Sequence, residues 1–112
     1  MTSRPALDRV AHALSDPIRL RVLDLLSAEH DQSGRCSPTN PELPGATCAC
    51  DLRPALPGMT PSKLAYHLRL LREVGLLKET RRGKWVYYTL NREALAEFTA
   101  ALASRFGVSA EP

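Results

Sequence analysis

No apolar run in this 112-residue chain approaches the roughly 20 residues that a membrane helix needs, which argues against a membrane partner. The first ten residues, MTSRPALDRV, lack the basic-then-apolar order of a signal peptide. The expected compartment is therefore the cytoplasm, where thiols stay reduced. Cysteine is scarce and odd in number, with Cys36, Cys48 and Cys50, and an odd count argues against a closed disulfide framework. There is no nucleophile–base–orienter spacing, no phosphate loop and no C-x-x-C of a thiol oxidoreductase. The chain does not read as an enzyme.

What is present reads as one globular domain over residues 1–112, with 44% hydrophobic and 24% charged residues. A chain this short buries a limited core, which leaves apolar helix faces available for a dimer. The net charge of +3 is unevenly spread. Residues 60–84 hold seven Lys and Arg against Glu73 and Glu79, a net +5, leaving −2 for the rest. A cationic quarter on a near-neutral body marks a polyanion binder, although a solvated basic face would look the same.

Hydrophobic spacing orders the chain. Residues 5–14 place Leu7, Val10, Ala11 and Leu14 on one helix face, and His12 there reads as a structural or surface histidine. A second helix over 17–28 is apolar on more than one face, through Ile18, Leu20, Val22, Leu23, Leu25 and Leu26, and should be central. Residues 29–47 have no period and are rich in Pro, Gly, Ser, Thr and Asn, so they read as a long loop carrying Cys36. A short helix is expected over 51–56 with Asp51 as its cap. Thr60-Pro61 then opens the clearest helix, with Leu64, Leu68 and Leu71 as its buried stripe and Gly75 as its end.

A short helix, a tight turn and a longer helix with a polar start make a helix-turn-helix. Over 76–90 the period changes to two, with Val86, Tyr88 and Leu90 alternating with Trp85, Tyr87 and Thr89. That is a β-hairpin with Arg82-Gly83 at its tip, the wing of a winged helix-turn-helix. Asn91 caps a last helix with Leu95, Phe98, Ala101 or Leu102, and Phe106 on one face, which suits a dimer interface. Residues 107–112 read as a frayed tail. The fold is therefore mainly α with a small β-hairpin, in the order ααααββα.

Several of these segments together resemble the ArsR/SmtB family of metal-sensing repressors. They are ALSDPIRLRVLDLL, CACDL, SKLAYHLRLLREVGLL and RRGKWVYYTL, covering residues 5 to about 106. The resemblance implies a homodimer through the first and last helices that holds double-stranded operator DNA and releases it on metal binding. The C-x-C-D-L motif is similar to the arsenic-responsive branch and, less closely, to the cadmium- and lead-responsive branch. Two features depart from the pattern. Arg53 stands where the arsenic-type motif often carries a third cysteine, and the last helix has Glu93 and Glu97 but no His, against the zinc and nickel site used elsewhere in the family.

Soft thiolates select soft ions. As(III) or Sb(III) favours three sulfurs, whereas Zn(II) or Cd(II) wants four ligands and would need His30 or Asp31. The expected inducer is As(III) or Sb(III), with no organic cofactor, held by Cys48 and Cys50. Counting alone nominates Cys36 as the third ligand; it could equally be an exposed loop residue. Positions i and i+2 point about 200° apart in a helix and to one side in a strand, so a shared ion needs the C-x-C to be extended or unwound. Buried packing and a thiol-redox sensor remain the alternative readings of this pair. On DNA, Ser62, Lys63, Tyr66 and His67 are expected in the major groove, with Arg69, Arg81, Arg82 and Lys84 on phosphates or a minor groove. His67 lies beside Leu68, and a buried position is the alternative for it.

Overall fold

The computed structural model describes residues 7–27 and 46–109. Within them the elements run α1 (Leu7–Ala13), α2 (Pro17–Ser27), β1 (Thr47–Cys48), α3 (Ala49–Leu52), a 3-10 turn (Arg53–Ala55), α4 (Pro61–Glu73), β2 (Leu77–Arg82), β3 (Trp85–Leu90) and α5 (Arg92–Phe106). No helix among the described residues is long and apolar enough to cross a membrane. Cys36, His30 and Asp31 lie outside the described residues.

The leucine stripe of α4 organises the main core. Leu64, Leu68 and Leu71 are buried against Val22, Leu23 and Leu26 of α2 and against Leu52 and Leu56 of the segment before α4. Thr60 caps α4, its hydroxyl oxygen accepting from the Lys63 N–H at 3.2 Å, and Pro61 follows where a missing N–H costs nothing. The helix stops in a Schellman arrangement. Leu76 N–H donates to Leu71 C=O and Gly75 N–H to Arg72 C=O, with Gly75 at φ 85°, a region open to glycine at no steric cost. Asn91 then ties the start of α5 to this corner. Its amide donates to Gly75 C=O at 2.8 Å while its Oδ1 accepts from Ala94 N–H.

Three local expectations change. The short helix starts at Ala49 rather than behind Asp51, so Cys48, not Asp51, holds the N-cap position, with no side-chain cap bond. Pro54 falls in the 3-10 turn that follows, where its missing N–H breaks no α-helical ladder. The hairpin tip is Gly83-Lys84, because Arg82 still pairs with Trp85. Gly83 takes a positive φ of 62° at the first loop position, as a type II′ turn requires. In α2, Leu20 is 47% exposed, since only the Val22, Leu23 and Leu26 side of that helix meets α4.

Among the described residues the sheet has three strands, not two. β1 pairs antiparallel with β3 (Thr47↔Tyr88, Cys48↔Tyr87), giving the order β1-β3-β2. Alternation then splits β3 between two layers. Tyr88 and Leu90 pack on the helical core, whereas Tyr87 is buried in a second cluster with Ala46, Cys48, Cys50 and Trp85.

Candidate functional site

The outer face of α4 follows from its inner one. With the leucines inward, Ser62, Lys63, Tyr66 and Arg69 stand in solvent, because i, i+4 and i+7 share a face. Tyr66 is 49% exposed, and the Arg69 guanidinium carbon lies 5.8 Å from its ring centroid. Such stacking holds both side chains over the same helix turn. At the wing, Arg81, Arg82 and Lys84 are all exposed. The Lys84 ammonium sits 5.0 Å from the centroid of the Trp85 ring. Seven of the eight residues expected to meet DNA thus lie outward on two elements that meet along the β2 edge.

His67 is placed differently. It is half-buried, with Nδ1 3.3 Å from the Arg19 guanidinium. Arg19 only donates, so Nδ1 accepts in that contact and any ring proton sits on Nε2. Arg19 is itself buried, donating through Nε to Ala13 C=O at 2.6 Å, with Asp16 3.9 Å away. This cluster fastens the α1–α2 corner to the middle of α4. The sequence gives no sign of it, because an arginine between apolar helix positions reads as a solvent residue.

A second unanticipated group joins α4 to the wing. Arg72 is ion-paired with Glu79 of β2, and Arg81 lies 3.9 Å from the other oxygen of the same carboxylate. Glu79 stands opposite Tyr88 in the ladder. The Tyr88 phenol is pushed above its ordinary pKa, first by burial and then by the Glu79 charge, with Arg72 acting in the opposite direction.

The two described cysteines flank the junction between strand and helix. Cys48 is extended (φ −77°, ψ 152°) and its successor opens α3. Neither pure geometry applies to the C-x-C, and the two side chains share one apolar cluster with Tyr87 and Trp85. Cys48 is a buried free thiol, and Cys50 is disulfide-bonded. Among the described residues no group of three or more His, Cys, Asp or Glu could hold a metal. In the reduced protein the described residues thus supply two soft donors. Arg53, at the position of a further motif cysteine, points to solvent.

No family model matches the chain. It is 51% identical over 78 residues to an arsenical resistance operon repressor of Escherichia coli K12, covering 70% of this chain and 53% of that protein. The chain spans about half the length of several curated relatives, this one included. It is 33% identical over 89 residues to an arsenical resistance operon repressor of Staphylococcus xylosus, covering 80% of this chain and 69% of that protein. Among solved structures it is similar to an ArsR-like transcriptional regulator from Rhodococcus sp. RHA1, with a TM-score of 0.64 and 25% identity over 90% of this chain and 78% of the other. Sequence likeness over most of a relative, together with a shared winged helix-turn-helix, makes this chain a member of the ArsR/SmtB family of transcriptional regulators.

Proposed function

We propose that the chain is an arsenic-responsive transcriptional repressor that binds operator DNA as a homodimer and leaves it when As(III) or Sb(III) is held by Cys48, Cys50 and Cys36. The observation that carries this reading is the ladder between β1 and β3. The strand that bears Cys48 is hydrogen-bonded to the strand that forms the wing, so the thiol and the DNA-facing hairpin belong to one sheet.

Each part follows from the chemistry of its residues. Ser62, Lys63 and Tyr66 on the first turns of α4 enter the major groove, where base edges are read. Arg69, Arg81, Arg82 and Lys84 neutralise phosphates, which supplies salt-dependent affinity. His67, held on Arg19, contributes by fixing the roll of α4. The apolar side of α5, with Leu102 and Phe106 exposed, and α1 beside it form the dimer contact, and the operator has two-fold symmetry accordingly. A bound trivalent ion supplies bonds to sulfur that fix the Cys48–Cys50 spacing. Cys48 is the last residue of β1 and Cys50 lies in the first turn of α3, so a new spacing shifts both β3 and the segment under α4. Coupling of this kind is typically worth about 1–3 kcal/mol.

The test is operator binding by the reduced protein, using a duplex selected from a random pool, titrated with arsenite, antimonite, Cd(II), Zn(II) and peroxide. Release by arsenite and antimonite at the lowest concentrations is expected, and Cys48→Ser should abolish it. A thiol-redox input is the second reading, favoured by the disulfide at Cys50. Release by peroxide alone would replace the metalloid reading with it.

A further inference from the structure

A cleft of about 200 Å³ lies between α4 and the wing, lined by Arg69, Arg72, Glu79, Arg81 and Tyr88 among others. Its charges are unequally exposed. The Glu79 side chain is 16% exposed, against 47% for Arg72 and 76% for Arg81. One recessed carboxylate therefore holds two guanidinium groups from different elements at its two oxygens. Arg69 leans the other way, 3.9 Å from Glu73 in an exposed pair, and such pairs are weak.

Guanidinium groups take carboxylates and phosphates with the same forked geometry. The cleft also adjoins the reading face. Ser62, Tyr66 and Arg69 form one i, i+4, i+7 strip of α4, and Ala65, Arg69 and Arg72 form the next, sharing Arg69. We propose that this cleft seats one backbone phosphate of the duplex, with Arg72 and Arg81 as its ligands and Glu79 as an internal counter-ion that orients both arginines and opposes the phosphate. Arg72 thereby joins the DNA contacts, and Glu79 sets how tightly the repressor holds any duplex. A carboxylate in this place keeps affinity low enough for a modest allosteric signal to cause release.

The inference rests on the operator-binding reading. Its test measures affinity against salt for the selected operator and for a random-sequence duplex of equal length, using wild type, Glu79→Gln, Arg72→Gln, the double variant and Glu93→Gln. Glu79→Gln keeps the shape and an acceptor oxygen but removes the charge. It should tighten both duplexes about equally, by several-fold, because phosphate contacts carry no sequence information. It should also steepen the slope of log K against log salt by about one. Arg72→Gln should weaken binding and flatten that slope by about one, and in the double variant the gain should be smaller, since only Arg81 then remains to hold the phosphate. Glu93, exposed on α5, controls for long-range charge and should give a smaller effect. A Glu79→Gln effect no larger than that of Glu93→Gln, a loss of affinity, or a gain undiminished by Arg72→Gln would overturn the proposal. If Glu79→Gln does not melt like wild type, Arg72→Gln decides alone, and an unchanged slope sinks the phosphate seat. Wild type without salt-dependent binding to either duplex would instead defeat the operator-binding reading itself.

Discussion

The two faces of the wing sheet are packed from different kinds of residue. One face, through Tyr88 and Leu90, closes on the main core of α2 and α4, whose buried members are nearly all leucine and valine. The other closes on a small cluster of Ala46, Cys48 and Tyr87 with Cys50 and Trp85 at its edge. Aliphatic burial over many residues gives the first face its rigidity. Among the described residues the second is a smaller, separate cluster that carries two sulfurs, so a change there need not disturb the main core. On the proposed function, a binding event on the second face would reach DNA through the hairpin, which the first face keeps in register with α4.

Substitutions on the two sides should therefore separate stability from response. Leu68→Ala, on the core side at 1% exposure, should cost about 2–5 kcal/mol, read by chemical denaturation. Arg19→Met removes a charged donor from Ala13 C=O and from His67. It should cost about 1.5–3 kcal/mol and, by loosening α4, weaken operator binding as well. Cys48→Ser, on the thiol side, should cost only about 1 kcal/mol, the lower end of burying an imperfectly bonded hydroxyl, yet remove the arsenite response. Lys63→Ala should leave stability within about 0.5 kcal/mol while flattening the salt slope of operator binding by about one.

The smallest effect concerns Tyr88. Its folded pKa is raised above the ordinary 10.0, so the folded state holds the phenolic proton more tightly than the unfolded chain. That contribution is fully present below pH 10 and is lost as pH rises from about 10 through the folded value. Denaturation midpoints followed upward from pH 9 should fall more steeply in wild type than in Tyr88→Phe.

The sequence is most legible where local chemistry and packing agree. Thr60, Pro61 and the Leu64–Leu68–Leu71 stripe specify α4 without outside help, and Asn91 does the same for the start of α5. Legibility ends where the partner is distant. β1 is two residues long, too short for alternation to register, and it exists because β3 offers an edge. Alternation assigns Glu79 a face of β2 but not its meeting with Arg72, which depends on how α4 docks. The burial of Arg19 depends on a carbonyl at the end of another helix. The C-x-C was readable as a soft-donor pair, but its split between strand and helix follows from the sheet. The stripe on α5 is readable as apolar, yet Phe106 is 68% exposed, because among the described residues no other element covers that end of the helix.

Trp85 makes the central claim directly measurable. It is the chain's one tryptophan, it begins the wing strand β3 and it packs on the thiol cluster. Its fluorescence should change on adding arsenite to the reduced protein, with the same midpoint as release of a labelled operator, and both responses should vanish in Cys48→Ser. Operator release with no change at Trp85, or a full response in Cys48→Ser, would contradict a signal that passes from the thiol strand to the wing.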